Sequence, residues 1–142
     1  MVAGAVTLRD ALVRDEGGFR LKPYQDSVGK TTIGCGRNLT DKGISRGEAE
    51  LMFDNDLRDA EVDVAHRIPW AAQLDEPRRG VLVMLAFNMG IGGLLTFRRM
   101  LAAMGKSDWP LSARELLDSE YAQQVGPRAH RLAQQLETGQ WL

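Results

Sequence analysis

The chain has 142 residues, with 18 Lys and Arg against 19 Asp and Glu, for a formal net charge of −1. With 44% apolar and 26% charged residues it has the makings of one cored folding unit, which excludes a disordered, collagen-like or disulfide-scaffold chain. A single cysteine and two histidines allow neither an internal bridge nor a zinc cluster.

The opening stretch, MVAGAVTLRD, has no basic flank and only a short apolar run, so no signal peptide is read there. No apolar run approaches the ~18–20 residues of a membrane span. Thr7 and Asp10 stand at capping-box spacing, and Leu8, Ala11 and Leu12 follow a helical register. Gly17-Gly18 stop that helix because glycine takes the left-handed conformation cheaply, leaving Glu16 as its last side chain. From Phe19 to Leu39, Tyr24, Val28, Thr31, Thr32 and Ile33 favour strands, and Gly29 falls between two extended runs. This predicts a small antiparallel hairpin sheet, with Cys35 packed in a strand between two glycines.

Ser45 and Glu48 form a second capping box. Ala49, Phe53, Leu57, Ala60, Val64 and Ile68 then recur at spacings of 4, 4, 3, 4 and 4, which predicts one apolar stripe along a helix over about 45–67. Asp75-Glu76-Pro77 opens another helix, whose run VLVMLAFNMG reads as the core of a second lobe and is ended by Gly90, Gly92 and Gly93. Shorter helices are predicted at about 96–104, 112–120 (capped by Ser112 and Glu115) and 128–137, with Trp141 packing at the end. Met84, Met89, Met100 and Met104 read as core filler, His66 as complementing the dipole near the end of the long helix, and His130 as a surface residue. The reading is one domain of two lobes, mainly α with a small sheet. An N-terminal lobe holds a hairpin at about 15–44, an inter-lobe helix follows at 45–67, and a helical lobe covers 68–142.

Charge is uneven along this plan. Residues 44–76 carry three basic and nine acidic side chains, between two mildly basic ends. Lys and Arg are not interleaved with aromatics, so no nucleic-acid partner is expected. An acidic block of this kind ordinarily marks a solvated helix face.

Hydrolysis of a glycosidic bond needs one carboxylic acid to protonate the leaving oxygen and a second carboxylate on the opposite face of the sugar. Glu16 at a helix end and Asp26 in the adjoining hairpin are candidates, with Thr32 further along the sheet able to bind a water near Asp26. On residue type alone any acidic pair across a turn would qualify, and solvated surface carboxylates are the plainer reading. The local sequence carries more. Residues 15–36, DEGGFRLKPYQDSVGKTTIGCG, resemble the signature of the phage lysozymes, the endolysin muramidases. EAELMFDNDL at 48–57, AFNMGIGGLLTF at 86–97, PRAHRL at 127–132 and the late Gly139-x-Trp141 follow in that family's order.

The resemblance implies a lysozyme-like two-lobed α+β fold and the roles of several residues. Glu16 matches the general acid, Asp26 the carboxylate that positions or deprotonates the attacking water, and Thr32 the hydroxyl that helps hold it. Asn88 and Arg128 match substrate-contacting positions, Arg128 being expected to approach the acid from the second lobe. Attack by water implies inversion and a carboxylate separation of roughly 6.5–9.5 Å. Further implications are the peptidoglycan glycan strand as substrate, no metal or cofactor, no stable membrane association and a monomer. Synthesis in the host bacterial cytoplasm, with a holin pore giving access to the periplasmic wall, belongs to the same picture. A lytic transglycosylase, or a non-catalytic wall-binding or virion module of this fold, are the alternatives. The chain departs from the family pattern in having Gly18 as an extra residue between Glu16 and Asp26. It also has Arg37 where a histidine is usual, Tyr121 at an aromatic position often held by tryptophan, and a shorter N-terminal lobe. Arg37 is expected to pair with Asp56.

Overall fold

The computed structural model describes residues 4–142, so the first three residues of the stretch read as lacking a signal peptide lie outside the described residues. Among the described residues, seven α-helices, one 3₁₀ turn and three strands form a mainly helical α+β arrangement with one small sheet, as the sequence implied. Two compact units divide the chain, the first ending at Leu51 and the second covering Met52–Leu142.

In the first unit, α1 (Leu8–Asp15) starts on the expected box. Thr7 Oγ1 accepts the Asp10 amide at 3.1 Å, and Asp10 Oδ2 accepts the Thr7 amide at 3.0 Å. Strands β1 (Arg20–Gln25), β2 (Thr31–Gly34) and β3 (Arg37–Asn38) pair antiparallel in chain order. The β1–β2 register breaks between Arg20 and Tyr24, where Pro23, lacking an N–H, sits on an edge strand. Cys35 is not in a strand. Gly34 and Gly36, at φ +69° and +72°, leave the extended region, so Cys35 lies in the turn joining β2 to β3. Among the described residues of this unit only Thr32 is buried, and Leu8 and Leu12 of α1 stay exposed.

Helix α2 (Arg46–Arg67) begins before the unit boundary and ends after it; its 22 residues span about 33 Å. The Ser45–Glu48 box is formed in both directions, at 2.9 and 3.1 Å. The predicted stripe is buried only in its last turns, at Ala60, Val64 and Ile68. Phe53 remains half exposed and meets Phe87 edge-on, ring centroids 5.6 Å apart.

The second unit continues through a 3₁₀ turn (Pro69–Gln73), α3 (Glu76–Leu95), α4 (Arg98–Gly105), α5 (Trp109–Leu117), α6 (Glu120–Val125) and α7 (Pro127–Thr138). Its core joins Val64, Val81, Leu82, Leu85, Leu94, Met100, Leu116, Leu132 and Leu136, each removed from water and stabilising by roughly 1.5–3 kcal/mol before entropy is charged against it. Helix α3 starts where predicted, Asp75 Oδ1 accepting the Arg78 amide at 2.9 Å. Gly90, at φ +77° and ψ +163°, breaks it where the glycines were expected to, and a second helical stretch then runs on to Leu95. Contrary to the sequence reading, α3 is long and apolar enough to match a membrane span by composition, with mean hydropathy 1.2. Its Val81, Leu82, Leu85, Ala86 and Leu94 are core residues of the unit.

Three other expectations are corrected here. The Ser112–Glu115 box is not the start of α5. Asp108 is the cap, accepting the Leu111 amide at 3.2 Å, while Ser112 is buried inside the helix and donates to the Asp108 carbonyl at 2.7 Å. The predicted 112–120 helix ends at Leu117, and Ser119 opens α6 by accepting the Ala122 amide. Of the four methionines read as core, Met100 and Met104 are buried, Met89 is partly so, and Met84 is 40% exposed. Trp141 does lie against the unit: a Cβ on Gly80 would come within 2.5 Å of its ring, so α3 admits only glycine beneath it.

Candidate active site

The first unit holds three of the sequence-derived site residues. Glu16 is the C-cap of α1, its amide donating to the Leu12 carbonyl at 2.9 Å before Gly17 and Gly18 turn the chain at φ +79° and +87°. Its side chain is exposed and reaches the β2–β3 turn. A Cβ placed on Gly36 would lie 2.7 Å from Glu16 Oε2 and 2.8 Å from its Cδ. The carboxyl therefore rests directly over the Gly36 backbone, and only a residue without a side chain leaves it room.

Asp26 closes the β1–β2 hairpin. Its Oδ1 accepts the amides of Val28 at 2.9 Å and Lys30 at 2.8 Å, and its own amide donates to the Lys30 carbonyl at 2.9 Å. Within this unit no hydrogen bond from another described residue reaches Oδ2, so the turn pins one oxygen and leaves the other unpaired there. Thr32, paired across the sheet with Tyr24 and Asn38, is buried and donates its hydroxyl to the same Lys30 carbonyl at 3.0 Å. Asp26 and Thr32 thus converge on one acceptor. With its proton committed to that carbonyl, Thr32 Oγ1 presents lone pairs, which suits it to accept a hydrogen from a water.

Arg37, expected to pair with Asp56, takes Glu48 as its partner within this unit. Its Nη1 donates to Glu48 Oε1 at 2.8 Å and to the Gly43 carbonyl at 3.3 Å. The reason is local: Glu48 is already aimed at the α2 N-terminus by Ser45, close to the end of β3. The Arg37 guanidinium, with the Ser45 amide behind it, pulls the Glu48 carboxyl down to about 2 from an ordinary 4.5. A carboxylate more acidic in the folded chain stabilises it above its ordinary range, and that contribution is lost as pH falls toward the folded value. The stability gap between the wild type and Glu48→Gln is therefore expected to be full above pH 5 and to close toward pH 2. Thermal melts of both proteins across that range check it; a gap independent of pH would contradict it.

The second unit holds the other two residues. Arg128 Nη1 donates to Asn88 Oδ1 at 2.6 Å, and Asn88 Nδ2 donates to the Met84 carbonyl at 2.8 Å, so the backbone of α3 orients the amide and the amide orients the arginine. Both side chains belong to exposed residues. Asn88 lines a groove of about 790 Å³ with Phe97, Arg98, Glu115, Ser119 and Tyr121, and a smaller one of about 280 Å³ with Phe53, Phe87, Arg128 and Leu132. Tyr121, reached by sequence only as a departure, lines both. Its ring meets Phe97 edge-on at 6.3 Å, and its buried hydroxyl has no partner among the described residues. Gly36 and Glu48 were also missed as site components, although Gly36 was legible as the last glycine of the signature. Among the described residues no group of three or more His, Cys, Asp or Glu is arranged to hold a metal ion.

The model of the family described as phage lysozyme matches residues 14–134. The chain is 31% identical over 163 aligned residues to the pre-baseplate central spike protein Gp5 of Enterobacteria phage T4, covering 94% of this chain but only 28% of the spike protein's length. It is 25% identical over 162 residues to probable T4-type lysozyme 1 of Dictyostelium discoideum, covering 94% of this chain and 95% of that protein. A SAR-endolysin of Bacteriophage PS119 is 30% identical over 105 residues, 66% of this chain and 60% of its own.

Proposed function

We propose that this chain, which belongs to the phage lysozyme family, is a glycoside hydrolase that cleaves the β-1,4 bond between N-acetylmuramic acid and N-acetylglucosamine in peptidoglycan. In this reading Glu16 protonates the leaving glycosidic oxygen. Asp26 takes one proton from the attacking water through its open Oδ2, and Thr32 Oγ1 accepts the other hydrogen, which aims the water's lone pair at the anomeric carbon. One C–O bond forms as the other breaks, with inversion, and the proton gained by Asp26 balances the one given up by Glu16. Asn88 and Arg128 contact the glycan strand. The enzyme acts as a monomer, made in the host bacterial cytoplasm and admitted to the periplasmic wall by a holin pore.

The observation that supports this reading is that the Asp26 amide and the Thr32 hydroxyl both donate to the Lys30 carbonyl, which leaves Asp26 Oδ2 and Thr32 Oγ1 as the accepting groups of one hairpin, suited to hold a water. Digestion of bacterial walls by the wild type, Glu16→Gln and Asp26→Asn tests it. The wild type is expected to release muropeptides with ordinary reducing ends. Each variant is expected to lose on the order of 100-fold or more in rate, as removal of a general acid or base does. Anhydro-muramic ends would instead support a lytic transglycosylase, and wild-type lysis by Glu16→Gln would remove the acid from the scheme.

The match to the spike protein favours a second reading, a non-catalytic wall-binding or virion module of this fold. Such a module would sediment with walls and release no glycan fragments, which the same digestion distinguishes.

A further inference from the structure

We propose that Arg37 is a positioning residue for Glu16: through Glu48 it fixes the β2–β3 turn on which the acid rests. The proposal rests on the reading of Glu16 as the general acid. No hydrogen bond from a described residue of its own unit holds the Glu16 carboxyl; within that unit its place is defined by the surface of Gly36, 2.7 Å from Oε2 at the Cβ position. That surface is only as fixed as the turn. The turn is closed on one side by β3, a strand of two residues at the edge of the sheet, with two register pairings to β2 and the Leu39 amide donating to the Thr31 carbonyl at 2.7 Å just beyond them. An edge this short is held weakly by its ladder alone.

Arg37, the residue after Gly36, adds a side-chain anchor at the turn's own end of β3. It ties β3 to the first turn of α2 through Glu48 Oε1, which the Ser45 amide also holds at 2.9 Å, and to the Gly43 carbonyl. The anchor is partly shielded, the Arg37 and Glu48 side chains being 28% and 44% exposed. A helix, a strand and a turn thereby become one support under the carboxyl. Loosening it leaves Glu16 chemically intact but free to drift, and displacements near 1 Å cost catalysis steeply.

The test compares Arg37→Ala, Arg37→Lys, Glu48→Gln and Glu16→Gln with the wild type on soluble uncrosslinked glycan strands, measuring kcat, KM and the pH profile of kcat. Arg37→Ala is expected to lower kcat by on the order of 10-fold with KM within about twofold, and to move the alkaline limb of the profile, which reports the acid. Arg37→Lys should restore most of kcat by keeping the charge on Glu48, and Glu48→Gln should resemble Arg37→Ala more mildly. Wild-type kcat and profile in both Arg37→Ala and Glu48→Gln would overturn the proposal while an inactive Glu16→Gln left the acid assignment standing. Full activity in Glu16→Gln would overturn both. If Arg37→Ala does not fold, the Glu48→Gln profile decides alone: a displaced alkaline limb supports the positioning role and an unchanged one refutes it.

Discussion

Gly36→Ala is expected to lose wall-degrading activity by on the order of 100-fold while the protein stays folded. Two effects meet at this residue and differ in what they cost. The φ of +72° is strained for any residue with a Cβ, by about 1–2 kcal/mol, which a folded domain tolerates. The new methyl would also sit 2.7 Å from Glu16 Oε2 and 2.8 Å from Cδ. Because those atoms end a flexible, exposed side chain, the clash is relieved by swinging the carboxyl away, at little cost to the fold. The displaced group is, in the proposed chemistry, the proton donor. Stability and activity should therefore separate: thermal melts a few degrees below the wild type beside turbidity assays that barely move. Loss of both in proportion would mean that the turn matters only for folding.

Arg78→Ala is expected to destabilise the second unit by about 3 kcal/mol and to lower its melting temperature by on the order of 10 °C. The last carbonyls of a helix have no partner within it, and at the end of α7 Arg78 supplies one. Its Nε donates to the Leu136 carbonyl at 2.7 Å and Nη2 to the Glu137 carbonyl at 2.9 Å, while Nη1 holds Asp75 at 3.1 Å. The guanidinium lies over the Trp109 ring, 4.0 Å from its centroid, and the side chain is only 15% exposed. One residue thus joins the start of α3, the start of α5 and the end of α7. Truncation leaves the partly buried Leu136 carbonyl unpaired, which costs more than the bond itself contributes, and removes the stacking on Trp109. Arg78→Lys should recover only part, because an ammonium cannot reproduce the planar fork or the stacking. Calorimetry checks this, and a melting temperature within 2 °C of the wild type for Arg78→Ala would contradict it.

Much of this architecture was legible where the chain states its own boundaries. Thr7-x-x-Asp10, Ser45-x-x-Glu48 and Asp75-x-Pro77 each name a helix start through a side chain that satisfies a free amide, and all three are formed. The same pattern at Asp108-x-Pro110 competes with Ser112-x-x-Glu115, an equally good local match one turn later. Local capping chemistry cannot rank two overlapping starts, whereas burial of Ser112 against the core does. The apolar stripe of α2 gave the helix but not the extent of its burial, because periodicity reports a face and says nothing of what covers it. Arg37 shows the limit most plainly. Its charge called for a carboxylate, and several lay downstream. Only the geometry of the Ser45 cap, which turns Glu48 toward β3, selects among them.

The site divides in the same way. As proposed site residues, Glu16, Asp26 and Thr32 were reachable only through the resemblance of residues 15–36 to the family signature, since residue type alone does not separate them from surface groups. The Gly36 contact and the shared Lys30 carbonyl were not, because they depend on backbone placement that residue types do not encode.

Digesting peptidoglycan in water enriched in heavy oxygen, and following the new reducing ends by mass and by the anomer first formed, tests the proposed chemistry most directly. One heavy oxygen at the muramic anomeric carbon, released first as the inverted α-anomer and absent with Glu16→Gln, is the predicted result. Unlabelled anhydro ends, or a labelled end of retained configuration, would contradict it.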